Sequence, residues 1–167
     1  KSLSAFSSLK EFELSQCVKD DDGSLIQALM GHSRLRKLCL RENRIGKNGC
    51  SILAALLLKP DSELAVLEIT DGMLDDAMVT VLAMGVYGNS TLESLDLSRN
   101  PSVTERGWRS LFATLQRPNC RLGKLFLKEN LINSAAEFTL AKSLATNGTL
   151  KVLDLSYCRD SGEIALY

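Results

Sequence analysis

One histidine, His32, stands among 167 residues, and that scarcity limits the chemistry open to this chain. A serine or cysteine nucleophile has no evident imidazole base, and His32 itself lies in a turn-like Gly31-His32-Ser33-Arg34 segment. The five cysteines, Cys17, Cys39, Cys50, Cys120 and Cys158, form no C-x-x-C pair, so with one histidine they do not make an ordinary zinc site. Charge of either sign is not in excess. Lysine plus arginine and aspartate plus glutamate number 20 each, which argues against nucleic acid as a partner, because phosphate neutralisation normally demands a basic surplus. No apolar run approaches the roughly 20 residues that cross a bilayer, so membrane insertion is not expected. Neither a phosphate-binding G-x-x-x-x-G-K-[ST] loop nor a G-x-G-x-x-G turn occurs. Asp20-Asp21-Asp22-Gly23 lacks the spaced oxygens and closing glutamate of a calcium loop, and reads better as acid favouring the start of a helix. No catalytic residue, cofactor or metal is predicted.

What is present is a period. The pattern L-x-x-L-x-L recurs at Leu9-Phe12-Leu14, Leu35-Leu38-Leu40, Leu64-Leu67-Ile69, Leu92-Leu95-Leu97, Leu122-Leu125-Leu127 and Leu150-Leu153-Leu155. The spacings between first positions are 26, 29, 28, 30 and 28 residues. Three residues beyond each last apolar position stand Cys17, Asn43, Gly72, Asn100, Asn130 and Cys158. Length variation falls in the joints, at Pro60, at Pro118 and at Asn100-Pro101-Ser102-Val103. Within a unit the period changes from 2 to helical. Cys50, Leu53, Ala54 and Leu57 share one helix face, and Ala136, Leu140, Ala141 and Leu144 are assigned to another. The alternation predicts six parallel strands centred on Phe12, Leu38, Leu67, Leu95, Leu125 and Leu153, with helices between them on the opposite face. Asn43, Asn100 and Asn130 are expected to turn inward and satisfy backbone groups of neighbouring turns.

The run Asn43-Arg44-Ile45-Gly46-Lys47-Asn48-Gly49-Cys50-Ser51-Ile52-Leu53-Ala54, with the N/C signature above, resembles the ribonuclease-inhibitor-like subfamily of leucine-rich repeats. The alternation of shorter units with Pro-containing ones resembles it too, and the likeness covers nearly the whole chain. It implies an α/β fold, a right-handed solenoid or horseshoe segment of about six repeats with strands concave and helices convex. Residues 1–167 then read as a single domain, its repeat strands starting near 9, 35, 64, 92, 122 and 150. Leu3 and Phe6 read as the last turn of a preceding helix, and nine residues after Cys158 are too few for a helix and cap. A piece of a longer array is expected, in which neighbouring repeats or domains are themselves partners.

Fold alone does not name a client, since immune sensors, GTPase-activating proteins, ubiquitin-ligase adaptors and cytoskeletal regulators share this scaffold. The informative positions point out of the sheet. Among them Glu11, Glu13, Lys37, Cys39, Arg41, Val66, Glu68, Asp96, Lys124, Phe126, Lys128 and Asp154 are the candidate partner-binding residues. Mixed charge around the bulky Phe126 suits a polar protein interface with an aromatic anchor. The leading expectation is a non-catalytic, cytoplasmic protein–protein interaction module. A GTPase-activating or similar regulatory protein is one alternative, although no arginine finger stands out. An extracellular recognition domain is the other, prompted by the acceptor sequences Asn89-Ser90-Thr91 and Asn147-Gly148-Thr149. Trp108 is expected to fill space between helices, and the cysteines to be reduced.

Overall fold

A computed structural model describes residues 9–17, 23–32, 34–118 and 120–159. The elements alternate: β1 (Glu11–Ser15), α1 (Ser24–Leu29), β2 (Lys37–Arg41), α2 (Gly46–Leu58), β3 (Val66–Glu68), α3 (Asp76–Gly88), β4 (Ser94–Asp96), α4 (Glu105–Thr114), β5 (Lys124–Phe126), α5 (Ser134–Leu144) and β6 (Val152–Asp154). All six strands form one sheet in chain order, every neighbouring pair parallel. Phe12, Leu38, Leu67, Leu95, Leu125 and Leu153 stand opposite one another across it, as the repeat predicts. The fold is an α/β leucine-rich-repeat solenoid. The segments 1–6, 20–22 and 160–167, with the expectations placed on them, lie outside the described residues.

Each strand leucine faces a layer built by the helices. Leu38, Leu53, Leu57 and Leu67 are at most 1% exposed and belong to one continuous core. The α2 face follows the sequence reading, with Cys50, Leu53, Ala54 and Leu57 all buried. The α5 face does not. Ala136, Leu140 and Ser143 are buried there, whereas Ala141 is exposed and Leu144 half-buried. Positions 136, 140 and 143 follow i, i+4, i+7, while 141 lies five residues on and well around the helix. Ser143 is tolerated inside because its hydroxyl donates to Thr139 O at 2.9 Å and accepts from Gln116 Nε2 at 2.9 Å. Helices α2 and α3 meet closely at Gly85, where a Cβ would lie 2.7 Å from Ala54 Cα.

The inward amides bond as expected, and they link units. Asn43 Oδ1 accepts from Cys17 N–H at 2.9 Å, and its Nδ2 donates to Leu14 O at 2.9 Å. Asn100 Oδ1 accepts from Gly72 N–H and Leu74 N–H, while its Nδ2 donates to Ile69, Leu97 and Ser98 carbonyls. Asn130 Oδ1 accepts from Asn100 N–H at 2.8 Å. A second series joins the helix ends. Asn89 Nδ2 donates to Leu57 O, and Asn147 Nδ2 to Leu115 O, each one unit back. The two Pro-containing units instead use the cation before the proline: Lys59 Nζ donates to Met30 O, and Arg117 Nη1 to Tyr87 O. The alternation of Pro-containing and other units is therefore an alternation of two ways to close the helix-to-strand turn.

Six residues just past the strands, Gln16, Glu42, Asp71, Arg99, Glu129 and Tyr157, have φ between 52° and 61°. This left-handed turn costs a non-glycine residue about 1 kcal/mol or more. In return the chain leaves the strand while its N–H groups stay paired with the next unit, as in Glu42 N–H to Thr70 O at 2.9 Å and Arg99 N–H to Lys128 O at 2.8 Å.

Candidate protein-binding face

Three columns of side chains project from the outer face of the sheet. Parallel register aligns Glu11, Lys37, Val66, Ser94, Lys124 and Val152 in the leading column. The middle column runs Glu13, Cys39, Glu68, Asp96, Phe126 and Asp154. Arg41 and Lys128 fall in the trailing column. All twelve candidate residues thus share one face, but their electrostatic states differ sharply along it.

Over β1–β3 the charges neutralise one another. Lys37 Nζ lies 2.7 Å from Glu13 Oε1, and Arg41 contacts Glu68 Oε2 through Nη2 at 2.6 Å and Nε at 3.2 Å. The Lys37 hydrogen bond holds the Glu13 carboxyl below its usual range, and Glu13 raises Lys37 in return. Cys39 points into this face yet is only 1% exposed beneath the ion pairs. Burial, followed by the neighbouring Glu68, pushes its thiol up to about 12, so it stays protonated and unreactive at neutral pH.

Over β4–β6 the arrangement changes. Asp96 Oδ1 accepts from Ser98 N–H at 2.9 Å, and Asp154 Oδ1 from Ser156 N–H at 2.8 Å. These two Asp-Leu-Ser segments use their carboxylates to fix the strand ends, and the Ser156 bonds lower the Asp154 pKa. Phe126 stands in register between the two aspartates and is half-buried rather than fully exposed. Val152, in the neighbouring strand, is 38% exposed. Lys124 is exposed and enters no ion pair among the described residues. Lys128 lies 3.5 Å from Glu129 and 5.2 Å from the Tyr157 ring centroid.

Sequence reasoning missed the rim formed by the left-handed residues. Gln16 Nε2 donates to Glu42 at 2.6 Å, Arg99 sits 3.6 Å from both Asp71 and Glu129, and Tyr157 is 75% exposed at the end of the row. The signal was available as a constant position, one residue before Cys17, Asn43, Gly72, Asn100, Asn130 and Cys158. Tyr157, next to Phe126's half of the face, is its most exposed aromatic. On the helix side Leu58, Met84, Tyr87 and Phe138 are each more than half exposed.

Other singled-out residues have structural roles. His32 is 2% exposed in the helix-to-strand turn. Trp108 is fully buried, stacks on Phe112 with centroids 6.3 Å apart, and donates from Nε1 to Leu131 O at 2.9 Å. The Asn89 and Asn147 amides are committed to turns, each Oδ1 also accepting two backbone N–H groups. Among the described residues no group of three or more His, Cys, Asp or Glu could hold a metal, and no helix is long and apolar enough to cross a membrane. All five cysteines are free. Titration of denatured, unreduced protein is expected to return five thiols; three or fewer would show disulfides. In the native protein Cys17, exposed, should react first, and buried Cys39, Cys50 and Cys120 last.

Comparison with known proteins agrees with this geometry. The model of the family described as Leucine Rich repeat matches residues 88–111. The Homo sapiens "NACHT, LRR and PYD domains-containing protein 5" is 33% identical over 133 residues, covering 80% of this chain and 11% of that protein. Ribonuclease inhibitor of Sus scrofa is 33% identical over 136 residues, covering 81% of this chain and 29% of the inhibitor. The chain therefore spans less than a third of either relative. Among solved structures, leiomodin-1 actin-binding site 2 superposes with a TM-score of 0.55 at 19% identity, over 90% of this chain and 72% of that one, which bears on the fold alone. Repeat signature, parallel register, inward amides and relatives agree that the chain belongs to the leucine-rich-repeat proteins of the ribonuclease-inhibitor-like type.

Proposed function

We propose that this chain is a non-catalytic interaction module that binds a protein partner on its strand face. The observation that carries the reading is the register of Lys124, Phe126 and Val152 on β5 and β6, where an uncovered cation adjoins partly open apolar surface. Neighbouring repeats present such side chains side by side, about 5 Å apart, which suits an extended partner. One relative and one structural neighbour carry protein partners in their names, a ribonuclease for the inhibitor and actin for the leiomodin site, and the relative supports the same class of ligand here. The five free cysteines support a reducing, cytoplasmic setting, and the commitment of both acceptor asparagines to turns weighs against the extracellular alternative.

The test is selection of binders from a randomised displayed-peptide library, followed by affinity measurement. Phe126→Ala should weaken selected binders by about 2 kcal/mol, the usual effect of truncating an interface anchor. Lys142→Glu, on the exposed side of α5, should leave them unchanged. Binders indifferent to Phe126→Ala but lost with Lys142→Glu would overturn the assignment of the strand face.

A further inference from the structure

The two basic pairs of the strand face look equivalent in the sequence, Lys37 with Arg41 and Lys124 with Lys128. They are not equivalent in the structure. Lys37 and Arg41 are spent on Glu13 and Glu68. Lys124 instead lines a depression at the leading rim of β5 and β6 together with Arg121, Lys151, Gly123, Gly148 and Glu93. None of its three cations enters an ion pair among the described residues. At the equivalent joint two units earlier, Arg36 is clamped 3.0 Å from Glu63. Glu93 and Arg121 occupy the corresponding positions with the signs reversed and line the same depression. Setting that couple aside still leaves Lys124 and Lys151 without an ion-pair partner among the described residues. The floor is open: a Cβ at Gly148 would meet nothing within 4 Å, and one at Gly123 would meet only the Glu93 and Thr149 carbonyls, at 3.7 and 3.9 Å.

We infer that this depression receives an acidic segment of the protein partner, carboxylates on Lys124 and Lys151, with the adjoining chain running over Phe126 and Val152. In a chain whose formal net charge is zero, a local surplus of cations attracts carboxylates by position rather than by overall charge. The inference deepens the strand-face reading and rests on it. An acidic protein segment is favoured over nucleic acid because the patch is short. Moreover, the next residues of the middle column, Asp96 and Asp154, are carboxylates that would repel a continued phosphate backbone.

The probe is a fluorescein-labelled deca-glutamate peptide, followed by anisotropy on the intact chain at low salt, with a labelled deca-uridine strand in parallel. The peptide should bind, weaken as salt rises, and lose about tenfold or more in affinity with Lys124→Glu/Lys151→Glu. Lys47→Glu/Lys142→Glu carries the same change in net charge on the helix side and should leave binding within about twofold. Equal loss from both double variants would overturn the inference, since net charge alone would explain it; so would tighter binding of the uridine strand at the same residues. Circular dichroism of each variant separates lost binding from lost fold. The two readings also fail separately. Library binders that depend on Phe126 but carry no acidic excess and ignore Lys124→Glu/Lys151→Glu sink the acidic-segment inference and spare the strand face. Binders that ignore Phe126 altogether sink the strand face itself.

Discussion

Replacing Asn100 with alanine is expected to lower the unfolding free energy by about 4 kcal/mol, among the largest effects of any single substitution here. The side chain is 0% exposed and joins two units. Its Oδ1 accepts from Gly72 N–H at 3.0 Å and Leu74 N–H at 3.1 Å, and its Nδ2 donates to Ile69 O at 2.9 Å, Leu97 O at 3.0 Å and Ser98 O at 3.1 Å. Alanine would strand two buried donors and the Ile69 carbonyl, while Leu97 O keeps Asn130 Nδ2 and Ser98 O keeps the Asp71 N–H. An unsatisfied buried group costs about 1–3 kcal/mol, and relaxation or an admitted water recovers part of it. Gly72 makes the site more dependent on Asn100, because the third unit has no amide of its own at that position. Asn43→Ala should cost less, since the bonds of Asn43 to Cys17, Leu14 and Arg41 are only part-buried whereas those of Asn100 are buried. Urea denaturation of both variants checks the order. A loss below about 1 kcal/mol for Asn100→Ala would mean that solvent replaces the amide and that the inward ladder adds little.

Trp108→Ala should cost a similar amount, about 3–5 kcal/mol, through a different mechanism. The indole is the largest fully buried side chain, and removing it opens a cavity between α4 and the loop after β5. It also loses the stack on Phe112 and the 2.9 Å bond to Leu131 O. Trp108→Phe keeps most of the volume and strands the Leu131 carbonyl, so about 1–2 kcal/mol is expected. Because Leu131 pairs with Arg159, the alanine variant should loosen the β5–β6 side first. Hydrogen exchange would then show faster exchange at Leu127 and Ile132 than at Leu38 or Leu67. Uniform exchange across all units would contradict this local route and indicate that the array unfolds as one cooperative block.

The contrast between these two residues shows how far the linear pattern reaches. Asn100 was legible because its role recurs: an inward amide at a fixed distance from a strand leucine, seen again in Asn43 and Asn130. Trp108 has no counterpart, since the same place in the second unit is Cys50. The sequence suggests burial there, but the bond to Leu131 depends on how the next loop passes over α4. Ala141 shows a smaller failure, where an apolar residue was assigned to the core face of α5 and the helical phase instead buried Ser143.

By itself the sequence determined the repeat, the six parallel strands and their register, the inward amides and the identity of the outward residues. All of these follow from period-2 and period-3.6 patterning, which each unit carries locally and the array merely repeats. Tertiary structure decided which outward charges remain available. Lys37 and Lys124 occupy the same column in equivalent strands, and the difference lies in what the preceding unit's carboxylate does: Glu13 pairs with Lys37, whereas the shorter Asp96 accepts from Ser98 N–H and makes no ion pair with Lys124. Tertiary structure also decided the six left-handed turns, in residues such as Gln16, Arg99 and Tyr157 that have no intrinsic preference for that conformation. Each is held by a hydrogen bond or contact with the adjacent unit. Interactions between units separated by 26 to 30 residues leave no mark in any local window, so they are read only once the units are stacked.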